Sequence, residues 1–271
     1  MANDVVRLGR DDERAIGELL ARDPVVNLFL VGFLAVHPVD RSWWYAVGDP
    51  EAPRAVALVL PGRLVVPYAP DRADAVQLGI HLAEQHTPSM IVGPREASDA
   101  IWSRWTRDRT PRRRYEQRLY VLRTAPSGDD PPGFRTAELA EWAVIARNAA
   151  RMEIEDIGVD PTQDNPKLHE VVVQERVRAG RTFVIDDAGT LVFQVNAGTV
   201  HPSGAQIGGT WVLPTHRGRG IAQAGVAATC RRVLADHPMV TLHVNEANLP
   251  AVRVYERVGF DRDAAFRLIV P

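Results

Sequence analysis

The spacing of apolar positions along this chain switches between strand and helix periods, and the switches lay out its elements. Val5 to Leu8 reads as a strand. Asp11 to Arg22 has helical spacing, with Asp11 or Asp12 near its cap. The nearly unbroken apolar stretch from Asn27 to Val36 predicts a buried helix, ended by Pro38. Trp43 to Val47, Arg54 to Leu60 and Arg63 to Tyr68 predict three strands, with Pro61-Gly62 turning the last pair. A helix over Asp71 to Glu84, a strand near Ser89 to Val92, a helix over Ser98 to Arg107 and a strand over Tyr115 to Leu122 complete one α/β set.

The pattern then breaks. Residues 124–133, Thr-Ala-Pro-Ser-Gly-Asp-Asp-Pro-Pro-Gly, have the proline, glycine and acidic content of an exposed linker. Beyond it the order of elements repeats. A strand at Phe134 to Thr136 and a helix over Glu138 to Ala149 lead into a carboxylate-rich loop and a helix over Pro166 to Arg178. Strands follow at Thr182 to Ile185, Thr190 to Val195 and Ala205 to Val212, with Asp187-Ala188-Gly189 turning the first pair. A helix over Gly220 to Ala235, a strand at Met239 to Val244, a helix over Leu249 to Arg257 and a strand at Phe266 to Val270 close the second set. The halves share element order and little sequence. They are expected to be tandem copies of one fold: domain 1–123, linker 124–133 and domain 134–271.

Composition narrows the class without naming a function. The 271 residues suit two domains of ordinary size, and 45% hydrophobic with 24% charged residues describes a globular protein. A net charge of -2 carries no nucleic-acid footprint. The apolar run from Val25 to Val36 is too short to span a bilayer, and the first residues have no signal-like apolar core. The single cysteine, Cys230, allows no internal disulfide and fits a reducing compartment, so a cytoplasmic location is the default expectation. No histidine or cysteine spacing suggests a metal site.

Chemistry concentrates where a strand, a basic glycine-rich loop and a helix start follow one another: Gly208-Gly209-Thr210-Trp211-Val212-Leu213-Pro214-Thr215-His216-Arg217-Gly218-Arg219-Gly220-Ile221-Ala222. Glycines there can turn backbone N–H groups inward, and the helix adds its own unpaired N–H groups and the positive end of its dipole. The result is a cradle for phosphate or pyrophosphate, with Arg217 and Arg219 suited to the same anion. The loop has neither the lysine ending of a nucleoside-triphosphate loop nor dinucleotide glycine spacing. It matches Arg-x-x-Gly-x-Ala at Arg217, Gly220 and Ala222. Downstream stands Asn248-Leu249-Pro250-Ala251-Val252-Arg253-Val254-Tyr255-Glu256-Arg257-Val258-Gly259-Phe260. In these two motifs, in this order, the second half resembles the GNAT superfamily of acyl-CoA N-acyltransferases. The whole resembles actinobacterial tandem members with a degenerate first domain.

The resemblance implies a mixed α+β fold: two GNAT-like domains, each a mostly antiparallel central sheet with flanking helices. It implies acetyl-CoA or another acyl-CoA as cosubstrate, no metal, and a small-molecule or peptide amine as acceptor. Trp211, Val212, Leu213, Arg217, Gly218, Arg219, Gly220, Ile221, Ala222 and Asn248 fall at cofactor-binding positions. The strand ending Trp211-Val212-Leu213 would splay from its neighbour, with an N–H near Val212 or Leu213 facing the thioester carbonyl. Tyr255 would lie beside the sulfur and protonate the departing thiolate. Read as an ordinary helix residue, it packs beside Ala251 and Val258 instead. Asn248 is also a good N-cap. In histone-modifying members a glutamate sits on the strand that here carries Ala205-Gln206-Ile207, and Gln206 cannot accept a proton usefully. The loop expected after the first helix offers Glu153, Glu155 and Asp156. Glu155 is the favoured base, and a solvated carboxylate is the plain alternative for each of the three.

In the first half, Tyr68-Ala69-Pro70-Asp71-Arg72-Ala73-Asp74 occupies the corresponding strand-to-helix junction. Its carboxylates would oppose a pyrophosphate and suit helix capping. The basic run Arg104, Arg107, Arg109, Arg112, Arg113, Arg114 and Arg118 reads as a solvated connection, or as a surface for an acidic partner or for the adenosine 3′-phosphate. The function expected is N-acyl transfer, of acetyl in the first instance, by direct attack in a ternary complex. The alternative is an acyl-CoA-binding sensor or interaction module without turnover.

Overall fold

The computed structural model describes residues 4–60, 64–107 and 109–271. In chain order the elements are β1 (Val5–Arg7), α1 (Glu13–Leu20), α2 (Leu28–Val36), β2 (Trp43–Asp49), β3 (Ala52–Leu60), β4 (Leu64–Tyr68), α3 (Arg72–Gln85), β5 (Met90–Pro94), α4 (Arg95–Trp105) and β6 (Arg113–Leu122). The second series is β7 (Phe134–Thr136), α5 (Trp142–Ile157), α6 (Pro161–Asp164), α7 (Pro166–Arg178), β8 (Thr182–Asp187), β9 (Thr190–His201), β10 (Gly204–Val212), α8 (Ile221–Leu234), β11 (Val240–Asn245), α9 (Leu249–Val258) and β12 (Asp261–Val270). The turn expected at Pro61-Gly62, and Arg63 beside it, lie outside the described residues. Among the described residues no helix is long and apolar enough to cross a membrane.

Contacts divide the chain into two units. One comprises Met1–Leu119, Asn245–Ala247 and Asp263–Pro271; the other comprises Tyr120–Val244 and Asn248–Arg262. Within the first, strands run in the order β1-β2-β3-β4-β5-β12. Strand alternation gives this sheet two apolar faces. Tyr45 and Val47 join Leu78, Leu82, Ile101 and Trp102 under α3 and α4, while Trp44 and Ala46 join Ile16, Leu19, Leu30 and Leu34 under α1 and α2. The second unit repeats the plan, with β11-β10-β9-β8-β7 in order. Its faces pack on α8 and α9 through Phe193, Val226, Leu242 and Tyr255, and on α5 and α7 through Ile145, Val173, Val177 and Val184. Each unit is thus a mixed sheet, mostly antiparallel, between pairs of helices.

Two expectations are corrected. The final strand, expected to close the second half, pairs antiparallel with β5 in the first unit: Phe266 faces Pro94 and Ile269 faces Ile91. Strand pairing is non-local, and nothing in the residues of β12 names its neighbour. Arg267, only 5% exposed in its side chain, holds the strand there through Asp99 at 2.9 Å and through Glu116. Arg267→Ala is expected to destabilise the protein by about 3 kcal/mol, at the low end for a buried pair. Asp99 and Glu116 keep Arg114 and Arg95 as partners. Urea unfolding with an unchanged slope checks this.

The second correction concerns the carboxylate-rich loop after Ala149, which is helix. Ala149-Ala150-Arg151-Met152-Glu153-Ile154-Glu155 are good helix formers, and α5 continues until Gly158 ends it at φ 66°. Glu153, Glu155 and Asp156 therefore stand on the last turns of a helix.

Candidate active site

The loop between β10 and α8 begins as a tight turn at Pro214–His216. Gly218 and Gly220 then both take φ 78°, and a Cβ on either would meet nothing within 4 Å. Backbone conformation, not packing, is what requires glycine at these two positions. Gly220 is the N-cap of α8 and offers no side chain to cap it. The first helical bond runs from Ala224 N–H to the Gly220 carbonyl at 3.0 Å. The N–H groups of Ile221, Ala222 and Gln223 precede it, at the positive end of the helix.

The equivalent junction in the first unit is closed by its own carboxylates. Asp71 caps α3 by accepting from Ala73 N–H at 2.6 Å, and Asp74 pairs with Arg54 at 3.0 Å. The two arginines of the α8 loop differ in what they hold. Arg217 donates through Nε to the Val212 carbonyl at 3.1 Å and through Nη2 to Glu155 at 2.8 Å. Arg219 is exposed and has no ion pair among the described residues.

The edge of β10 opens beside this loop. β10 and β11 pair in parallel only at Ala205 with Val240 and Gln206 with Thr241, near the start of each strand. On its other side β10 follows β9, with a register shift between Gly208 and Trp211 that resumes at Trp211 with Gln194 and Val212 with Phe193. Leu213 N–H donates to the Val192 carbonyl at 3.0 Å. In an antiparallel ladder alternate residues turn their polar groups to opposite sides. The Val212 N–H therefore faces away from β9, towards the diverging edge. On sequence alone Val212 and Leu213 are equal candidates for the carbonyl donor, and the ladder commits Leu213 elsewhere.

Helix α9 brings the remaining groups. Asn248 caps it by accepting from Ala251 N–H at 3.2 Å, and its Nδ2 donates to Asp156 Oδ1 at 3.4 Å. Tyr255 is 7% exposed and meets Phe260 edge-on, with ring centroids 6.0 Å apart. Burial raises its phenol above the ordinary range, and the Asp156 charge acts the same way. Thr210 opposes the shift, although its Oγ1 has no hydrogen bond of sound geometry. The packing role of Tyr255 and a position beside polar groups thus coexist.

The three carboxylates at the end of α5 have three environments. Glu155 is half exposed and paired with Arg217. Burial raises Glu153, while His169 and Arg176 pull it down. Burial raises Asp156 too, opposed by its Asn248 hydrogen bond.

A cavity of about 320 Å³ adjoins the loop, lined by Gly220, Gln223, Ala224 and Ala227 of α8 and by Ser127 and Asp129 of the 124–133 segment. That segment is pinned rather than merely exposed. Arg231 donates to the Asp129 carbonyl at 2.7 Å and pairs with Asp130 at 2.8 Å, and Arg232 pairs with the same carboxylate at 2.9 Å. The adjacent pairs Asp129-Asp130 and Arg231-Arg232 are the only sequence signal of this contact. Of the basic run near β6, Arg114 and Arg118 are spent on Asp99 at 2.7 Å and Glu246 at 2.8 Å. Among the described residues no group of three His, Cys, Asp or Glu side chains is placed to hold a metal ion.

The family model of FR47-like proteins matches residues 189–268, the segment from β9 through most of β12. No curated protein matches the sequence. Solved structures match almost end to end. A Drosophila protein superposes with TM-score 0.69 at 15% identity, covering 99% of this chain and 98% of its own. A GCN5-related N-acetyltransferase from Sphaerobacter thermophilus gives 0.62 at 18%, covering 98% and 94%. A tandem GNAT protein from the clavulanic acid biosynthesis pathway gives 0.57 at 16%, covering 98% and 97%. At these identities the likeness establishes the fold, which is that of the GNAT acetyltransferases.

Proposed function

We propose that the second unit binds an acyl-CoA and transfers its acyl group, acetyl in the first instance, to an amine by direct attack. The observation that carries this reading is the start of α8. A glycine-capped helix N-terminus stands beside a strand edge that turns the Val212 N–H outward. The pyrophosphate suits the N–H groups of Gly218 to Ala222, with Arg219 as counter-charge. The pantetheine arm, itself an amide chain, suits the diverging edge of β10 at Trp211 to Leu213, and Asn248 at the start of α9 is a further candidate contact. The cavity under residues 127–129 is of a size to take the nucleoside end.

At the thioester, the Val212 N–H is a fixed donor for the oxygen that gains charge on attack. Tyr255 holds its proton at neutral pH and suits donation to the leaving sulfur. Burial pushes the Cys230 thiol up to about 12. It is protonated at neutral pH and unsuited to carry the acyl group, which supports direct attack. The first unit, whose corresponding helix is capped by Asp71, is proposed to have no such cofactor site.

The test is release of free thiol from acetyl-CoA in the presence of methylamine, spermidine or a lysine-bearing peptide. The expected result is amine-dependent release above the rate without amine. Tight CoA binding with no acceleration by any of them would contradict turnover and leave a sensor.

A further inference from the structure

We infer that Asp156, and not Glu155, is the base that takes the proton from the acceptor amine, an inference that rests on the acyl-transfer reading. Successive helix residues point about 100° apart, so the last turn of α5 sends neighbouring carboxylates to different places. Glu155 reaches the anion loop, where Arg217 holds it at 2.8 Å. Its carboxylate is engaged by an arginine of the anion loop and not by the helix that carries Tyr255. Glu153 lies towards α7, under the influence of His169 and Arg176.

Asp156 turns to α9. Its partner there is Asn248, whose other side-chain atom caps that helix. Tyr255 follows Asn248 by seven residues, two helical turns, and so falls on the same side of α9. The charge of Asp156 acts on the Tyr255 phenol. Asn248 therefore does more than cap: it positions the base relative to the acid. Asp156 is half-buried, which keeps an outlet to solvent for its proton.

The protons balance. The acceptor arrives as an ammonium ion and gives one proton to the Asp156 carboxylate. The freed nitrogen lone pair forms the N–C bond, and the carbonyl electron pair moves onto oxygen, facing the Val212 N–H. When the carbonyl reforms, the C–S bond breaks and the sulfur takes the Tyr255 proton. The second nitrogen proton restores the tyrosine, and Asp156 releases its own to solvent.

Asp156→Asn separates this role from a structural one through two nucleophiles. Methylamine is protonated at pH 7 and needs a base; hydroxylamine is already neutral. The variant is expected to acetylate methylamine about 100-fold more slowly or worse, and hydroxylamine within about tenfold of wild type. The melting temperature is the second readout. Burial raises the Asp156 carboxyl in the folded state. Such a group contributes stability below its unfolded value and loses it as pH rises through the folded one. At pH 7 the charged form therefore costs stability, and Asp156→Asn should melt no lower than wild type.

Equal loss with both nucleophiles, a melting point lowered by several degrees, or retained methylamine activity in Asp156→Asn while Glu155→Gln loses it would each overturn the inference. A wild type that acetylates neither nucleophile overturns the acyl-transfer reading itself, and the inference with it.

Discussion

On the proposed acyl-transfer reading, Tyr255→Phe is expected to lower kcat by about 100- to 10,000-fold, the usual range for losing a positioned general acid, and to leave the KM for acetyl-CoA within a few fold. The selectivity follows from the packing. The ring of Tyr255 is 7% exposed and rests on Phe260 and its helix neighbours; phenylalanine keeps all of that surface. Only the hydroxyl goes, so urea unfolding should move little. A residue that merely filled the core would show the opposite pattern, with rate preserved and stability slightly changed. Steady-state thiol release with acetyl-CoA, beside urea unfolding of the same preparation, measures both. Unchanged kcat would remove Tyr255 from the chemistry and return it to the core.

The second large effect is expected at the helix start. Gly220→Val forces a β-branched residue towards φ 78°, a conformation that strains it by about 1–3 kcal/mol. A Cβ there meets no atom within 4 Å, so the strain lies in the backbone that aims the first N–H groups of α8. If the backbone relaxes, those groups turn away from the anion. Each charge-assisted hydrogen bond lost costs about 1.5–3 kcal/mol, so CoA affinity should fall by about 100-fold or more. Arg219→Ala removes one exposed partner and should cost about tenfold by the same reckoning. Arg217→Ala is a less clean probe, because Arg217 also holds the Val212 carbonyl and Glu155. Calorimetric titration of CoA into the three variants ranks them. Gly220→Val binding as wild type does would mean that the anion sits elsewhere.

What was legible in the sequence is what short-range chemistry decides. Gly218 and Gly220 announce a backbone that no other residue adopts freely, Asn248 announces a cap, and both stand where expected. The element order and the mixed sheets likewise follow from apolar spacing and turn residues. The alternation at Asp187-Ala188-Gly189 does turn a hairpin, with Ala188 itself at φ 48°. What was not legible depends on pairing across the chain. The β5–β12 pair joins strands far apart in sequence. The commitment of Leu213 N–H to Val192 depends on a register shift several residues earlier in β10. Glu153, Glu155 and Asp156 stand within four residues, and the preference for Glu155 among them could not draw on the helix, which sends Glu155 to Arg217, Asp156 to Asn248 and Glu153 to the α7 side.

The measurement that tests the central claim most directly is a calorimetric titration of wild-type protein with CoA and, separately, with pantetheine, which lacks the pyrophosphate and nucleoside. The α8 cradle predicts micromolar CoA binding, about -8 kcal/mol, and pantetheine at least about 100-fold weaker, the loss of two charge-assisted contacts. No heat with CoA from folded protein, or equal affinity for the two, would contradict the site and the function built on it.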